Sequence, residues 1–473
     1  MNITVKDVLD ITGGHLIGIS DDEKTELMGY RLNSMALDSR EVKEGTLFVA
    51  TKGENVDAHK FIPSVASITK AILTEEDEAE IKAKADVSVL PSGVAYIKVP
   101  SSLDGMQDIA AYIRSLYKKT VIGVTGSVGK TTTREMITAA LSSCIPVFHT
   151  EGNRNSQMGV PLTLADMCDK ESEAAVIEMG ISEPGGMDKL TRMVLPDIAV
   201  CTMIGVAHIE FMKNREGIRN EKLRIAGRMN EDGILFLNAD DELLWETKGH
   251  NKVKTYFYGT NPEADFRAEN IRYEDGYNTY EYVHEDKRIT VMMNSLGQHN
   301  VLNSLVAMAI CDVLGLDLMK AAAAFENFSG LRQKVISSDK GYTVIDDTYN
   351  ASPDSMKAAV NVLRDINVPG RKIAVLGSMF ELGPSSDDYH REVGEYIAEV
   401  VKTNGGLDEL ITIGESAKFI AQGASQADGL KVSEYDDKET ATEYIKSILK
   451  PGDVISIKAS NGMKLSWIVD EIK

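Results

Sequence analysis

Residues 121–133 read VIGVTGSVGKTTT. An apolar run, residues 121–124, leads into glycines at Gly126 and Gly129, and Lys130-Thr131 opens a stretch with helical spacing. The pattern is a buried parallel strand, a tight turn and a helix N-terminus, the unit from which doubly wound α/β domains are built. Glycines let the backbone turn sharply and aim N–H groups at phosphate oxygens. The helix N-terminus adds the positive end of its dipole. Lys130 brings a charge to the β- and γ-phosphates, and the Thr131 hydroxyl can reach Mg²⁺. Thr125, Gly126, Ser127, Val128, Gly129, Lys130, Thr131 and Thr132 are therefore the expected phosphate loop. The segment departs from GxxxxGK[ST] where Val124 stands in place of the first glycine. Such a loop does not name a reaction, because motors, switches, kinases and ligases all carry one.

Outward from this loop, Met136, Ile137, Ala140 and Leu141 lie on one helical face, and further strand-like runs occur at 174–179, 198–204 and 234–237. Between about 253 and 296 the period changes, and turn residues that include Asp275-Gly276 predict antiparallel hairpins appended to the sheet. Residues 302–314 return to a helical period. From near Gly330, candidate strands at 343–347, 372–377, 409–414 and 453–458 alternate with helical patterns, which predicts a second doubly wound unit. The first hundred or so residues form a smaller α/β block with a turn at Gly45 and a buried strand at 47–50. Pro100 and the polar run 101–105 read as a linker. The expected division is 1–103, 104–330 and 331–473.

Bulk properties exclude several classes. With 473 residues, two to four domains are expected. A net charge of −21 argues against a nucleic-acid binder, which works by neutralising phosphates. No stretch approaches the ~20 apolar residues that span a bilayer. The N-terminus, MNITVKDVLDITGG, lacks a basic segment followed by an apolar one and reads as a cytoplasmic start. The four cysteines, Cys144, Cys168, Cys201 and Cys311, form no CxxC pair, so neither structural zinc nor a disulfide framework is expected.

With TGSVGKTTT in place, other segments line up in order: LDSREVKEGTLFVATKGENVDAHKFI (37–62), EGNRNSQMGVPLT (151–163), IEMG (177–180), IGVAHIEF (204–211), GQHNVLNSLVA (297–307), IDDTYNASPDSM (345–356) and VLGSMFELG (375–383). Together they resemble the Mur ligase family of peptidoglycan synthesis nearly end to end. The resemblance implies an α/β fold of three domains: one for a UDP-sugar, a central P-loop ATPase, and a C-terminal Rossmann-like domain for the incoming amine. It also implies a monomer. The implied reaction transfers the ATP γ-phosphate to a carboxylate, after which an amine displaces phosphate from the acyl phosphate. The implied partners are UDP-MurNAc-tripeptide and D-Ala-D-Ala. Two other readings stay open: a paralogue joining a different amine and carboxylate, and a regulator that binds nucleotide and UDP-sugar without catalysis.

The chemistry brings a carboxylate to a triphosphate, so cations must screen them, and two Mg²⁺ ions are implied. By resemblance Thr131 and Glu178 hold one ion and His208 helps hold the second. Lys222 carries a carbamate that bridges metals, which requires a neutral amine and hence a lowered lysine pKa. Asn155 belongs with the nucleotide, and Asn303, His299 and Asn300 lie near the adenine. Arg332 reaches the γ-phosphate when the C-terminal domain closes. Asp346, Asp347, Tyr349 and Asn350 face the ribose, the phosphates or the incoming dipeptide. Ser39 and Arg40, with His59, contact the UDP-sugar. The departures from the family pattern lie around both substrates: Asn155-Ser156-Gln157, Met203-Ile204, Ser378, Ala459 and the run Asp57–Phe61, while Lys222 sits in EKLRI where AKGEI is usual.

Overall fold

The computed structural model describes all residues except 54–55, 168–170, 275–276 and 329–332. Gly330, Arg332, Cys168 and the Asp275-Gly276 turn lie outside the described residues. Three main sheets follow one another along the chain. The first has five strands in the order His15–Ile17, Ala95–Lys98, Ala71–Thr74, Thr46–Val49, Ser34–Ala36, parallel except for the first. The second has nine, in the order Lys287–Met293, Tyr277–His284, Phe266–Glu274, Lys254–Gly259, Ile234–Asn238, Ile198–Cys201, Thr120–Thr125, Ala174–Glu178, Val147–His149. The third has six: Lys334–Ser337, Thr343–Asp347, Val454–Lys458, Lys372–Gly377, Glu409–Ile413, Lys431–Tyr435, antiparallel only at its first pair.

In the nine-stranded sheet the strand Thr120–Thr125 lies between Ile198–Cys201 and Ala174–Glu178 and is buried on both faces. Helices Lys130–Ser142 and Gln298–Val313 cover one face through Met136, Ile137, Val301 and Leu305. Helices Gly159–Met167 and Gly186–Val194 cover the other through Leu164, Met187 and Leu190. Each fully buried aliphatic side chain of this kind contributes roughly 1.5–3 kcal/mol. The chain leaves Thr120–Thr125 toward one edge, returns through Ala174–Glu178, then continues on the other side from Ile198–Cys201. That reversal opens a crevice at the carboxyl ends of these parallel strands, where open α/β sheets bind ligands. The expected hairpins appear as the antiparallel run Phe266–Glu274, Tyr277–His284, Lys287–Met293.

One expectation is overturned. The run 101–105 is no linker: Ser101 caps a fifteen-residue helix, Ser102–Leu116, by accepting a hydrogen bond from Asp104 N. The polar residues are its cap and first turn, as caps favour Ser and Asp. Its face is shared, with Met106, Ile109 and Ile113 in the core of the first sheet and Ala110 in that of the second. Strands such as Ala71–Thr74, Val147–His149 and Lys431–Tyr435 are not legible in the sequence, being only three to five residues long.

Candidate active site

The loop after Thr120–Thr125 runs over Gly126 and Gly129, both at positive φ, 149° and 86°. A side chain at Gly126 would collide with Thr202 Oγ1, which donates at 2.6 Å to Val128 O and holds the loop to the next strand end. Glycine is thus required by both conformation and space. Lys130 opens the helix and folds back over the loop, with Nζ donating to Gly126 O at 2.9 Å. Thr133 Oγ1 donates to Asn303 Oδ1 at 2.9 Å, tying helix Gln298–Val313 to the helix that follows the loop, and Asn303 Nδ2 donates to Asn300 Oδ1 at 3.1 Å.

Glu178 ends the neighbouring strand and is fully buried. Its Oε1 accepts from Asn155 Nδ2 at 2.7 Å and from Thr131 Oγ1 at 3.2 Å. Its Oε2 faces Arg134 Nη1 at 3.2 Å, and that guanidinium also donates to Gly152 O at 2.9 Å. A buried carboxylate needs such partners, because an unpaired charge in the interior is costly. Sequence reasoning missed Arg134, the fourth residue after the loop lysine, whose polarity on a buried helix face was the available signal.

Lys222, on helix Arg215–Leu223, is 2 % exposed and lies beneath the loop, with Nζ donating to Gly126 O at 3.0 Å. Burial first, and the neighbouring Lys130 charge second, push its ammonium down to about 7. The adjacent Glu221 opposes the shift without cancelling it, and its carboxylate accepts from Met187 N at 3.0 Å and faces Arg224. His208 adopts a left-handed φ of 62° and its Nδ1 lies 2.7 Å from Glu381 Oε2. Burial is the main influence lowering its pKa.

The carboxyl edge of the third sheet faces this loop. A cavity of about 1520 Å³ is lined from one side by Ser127, Val128, Gly129, Lys130, Thr132, Asn155, Glu178, His208, His299, Asn300 and Asn303, and from the other by Asp347, Tyr349 and Asn350. Lys458, at the end of its strand and 3 % exposed, donates to Asp347 Oδ2 at 2.8 Å and to Asn350 O at 2.9 Å. It was absent from the expected site, although a lysine closing an apolar strand is the signal that marks it. Asp346 does not line the cavity; its Oδ1 accepts from Thr348 N and Oγ1 at 3.1 and 2.7 Å. Arg332 lies outside the described residues.

Ser39, Arg40 and His59 lie on the first sheet's side and do not line the cavity. Ser39 and Arg40 form a short 3-10 turn in which Arg40, largely exposed, pairs with Asp38 at 2.5 Å. His59 is fully buried, its Nδ1 2.6 Å from Asp57 Oδ1. No group of three or more His, Cys, Asp or Glu side chains that could by itself hold a metal occurs among the described residues, and no described helix is long and apolar enough to cross a membrane.

Comparison with known proteins follows the same outline. Residues 124–311 match the Mur ligase middle domain, and residues 331–461 match the Mur ligase, glutamate ligase domain. The chain is 35 % identical to the UDP-N-acetylmuramoyl-tripeptide–D-alanyl-D-alanine ligase of Bacillus subtilis, over 99 % of this chain and 98 % of the relative. It is 28 % identical to the Escherichia coli enzyme of the same name, over 99 % and 98 %. A crystal structure of MurF from Acinetobacter baumannii superposes with a TM-score of 0.88 at 26 % identity, covering 100 % and 99 %. MurF from Thermotoga maritima in complex with ADP gives 0.79 at 29 % identity, covering 93 % and 97 %.

Proposed function

This chain belongs to the Mur ligase family, and on that premise we propose that it is the ATP-dependent ligase that joins D-Ala-D-Ala to UDP-MurNAc-tripeptide in the cytoplasm. The observation that carries the reading is the cavity between the phosphate loop and the carboxyl edge of the third sheet, since amide formation must bring a triphosphate, a carboxylate and an amine to one place. Residues 1–103 would bind the UDP-sugar, with Ser39, Arg40 and His59 as contacts. Residues 104–330 would bind ATP, and 331–473 the amine.

In this reading the loop N–H groups and Lys130 hold the β- and γ-phosphates. The substrate carboxylate attacks the γ-phosphorus, ADP leaves, and the acyl phosphate is held where Lys130 offsets the developing charge. Asn300, Asn303 and His299 border the base, with Arg332 closing over the γ-phosphate. The pair Lys458–Asp347, with Tyr349 and Asn350, lines the amine side. The donor set fits Mg²⁺: the Glu178 carboxylate and Thr131 hydroxyl are hard oxygens 3.2 Å apart beside the loop, and phosphate oxygens and water complete such a shell. Bound there, Mg²⁺ supplies neutralisation of the phosphate charge. His208 would serve a second ion. An amine at Lys222 that is partly neutral near pH 7 supports carbamate formation with CO₂.

The test is phosphate release from ATP and Mg²⁺, with UDP-MurNAc-tripeptide and D-Ala-D-Ala added singly and together. Release only with both, alongside a pentapeptide product, is expected. Lys130→Ala should lower turnover by about 100-fold or more, as loss of one preorganised charge-stabilising group does. Normal turnover by that variant, or no product from folded wild-type protein that binds ATP, would overturn the assignment.

A further inference from the structure

Asp354 is the second residue of helix Pro353–Asp365, in the third-sheet unit, and it lines the reaction cavity. It has no part in capping that helix: Ser352 is the N-cap and its side chain accepts from Ser355 N at 3.5 Å. The Asp354 carboxyl instead turns toward the phosphate loop. It packs on Gly205, so that a side chain there would meet Asp354 Oδ2, and on the same side would lie 3.5 Å from Ser127 Cβ. Gly205 thus touches both this carboxyl and the loop that grips the transferring phosphate.

Asp354 Oδ2 is buried and has no hydrogen-bond partner among the described residues. The nearby cations are engaged elsewhere. Lys357, on its own helix, faces Glu392 of helix Ser386–Asn404 at 2.6 Å, and Arg215 Nη2 donates to Ile204 O at 2.8 Å. A carboxylate with one oxygen buried and unpartnered is costly to hold charged. Its isosteric amide would not carry that charge cost, so stability gives no reason for an acid at this position. The residue itself stays partly exposed where it lines the cavity, so an ammonium entering from the third-sheet side would meet this carboxylate beside its sealed oxygen.

We propose that Asp354 is the group that receives the incoming amine as its ammonium and takes its proton, an inference that rests on the ligase reading above. An α-ammonium has a pKa of about 8, so at neutral pH most of the amine arrives protonated and cannot attack. One proton passes from nitrogen to the Asp354 carboxylate. The freed lone pair then attacks the acyl carbon, the carbon–oxygen bond to phosphate breaks, and the second proton leaves with the departing phosphate as the amide forms. Burial raises the Asp354 carboxyl above its ordinary range. Lys357 and Arg215 oppose that shift, and Glu392 and Asp241 add to it. The shift brings the acid closer to the amine it must deprotonate.

The test compares wild type and Asp354→Asn in two assays: amide formation with D-Ala-D-Ala, and trapping of the acyl phosphate by hydroxylamine. Hydroxylamine is far less basic than an α-amine and is neutral at working pH, so it needs no proton acceptor. For the variant the expected result is a loss of about 100-fold or more in amide formation. Hydroxamate formation should stay within a few-fold of wild type, and the thermal midpoint should be unchanged or raised. Amide formation at the wild-type rate would overturn the proposal. So would an equal loss in both assays, or a lowered midpoint, since these mark a role in phosphate transfer or in the fold. Should Asp354→Asn fail to fold, Asp354→Ser takes its place in the same two assays. Wild type that makes neither product means that the ligase reading itself has failed, a result separate from the variant's.

Discussion

Lys222 occupies a place where an ordinary lysine is unfavourable, buried against Lys130 and held down to about 7. The unfolded chain restores its ordinary 10.5. Between those values the unfolded state binds more protons than the folded one, so stability contributed by this site rises with pH across the window. In CO₂-free buffer with chelator, the urea midpoint of the wild type should therefore climb from pH 7 toward 9. Lys222→Met should flatten that climb and raise the midpoint at pH 7. A wild-type midpoint with no more upward slope than the variant's would show that the amine is not desolvated. The phosphate-loop motif made Lys130 and Thr131 legible as candidate site residues, and only the family resemblance added Glu178. It did not reveal Arg134, Lys458 or Asp354. Arg134 acts on Glu178 across 44 residues and Lys458 on Asp347 across 111, so their polar roles exist only once strand ends have been brought side by side.

Elements were most legible where they were buried on both faces. Lys372–Gly377 was readable to the residue, because a parallel strand enclosed by helices is a largely apolar run with sharp ends, and Thr343–Asp347 was also read to its ends although it carries only Val344 and Ile345 as apolar residues. The helix Ser102–Leu116 was misread at its start because its cap and first turn carry the same Ser, Asp and Gly residues that make a linker. Downstream its period is plain: Met106, Ile109, Ala110 and Ile113 share a face that touches both the first and the second core. Such a helix couples two units rather than separating them. Ser101→Ala should cost about 1 kcal/mol by loss of the cap. Ile109→Ala should cost about 2–5 kcal/mol. The informative measurement is proteolysis within residues 1–100 of the Ile109 variant. Cleavage there should rise together with exposure of the central sheet if the helix joins the two, and a first unit loosened by itself would count against that coupling.

At the scale of the whole molecule the cavity has two walls, and Val206, Ile209 and Leu296 of the central unit pack in the core of the third. The clearest link is His208–Glu381, at 2.7 Å, with both residues at a φ of 62°. Nearby, Gly383 packs on Glu210. The third-sheet unit thus rests on the segment that follows Ile198–Cys201. The pair is partly open to water, 28 % and 58 % exposed, and burial keeps the imidazole neutral at pH 7, so the contact is worth no more than the about 1 kcal/mol of an exposed ion pair. By that magnitude, it biases the walls toward the closed arrangement by no more than about fivefold. Glu381→Ala should therefore lower kcat/KM for the amine by about fivefold or less and leave ATP affinity nearly unchanged, because the phosphate loop lies wholly on one wall. Salt supplies the control. With His208 neutral there is no ion pair to screen, so raising ionic strength should move the wild type and the variant alike. If the variant loses far more than this, or loses ATP affinity in proportion, Glu381 acts on the chemistry at His208 and not on the closure of the two walls.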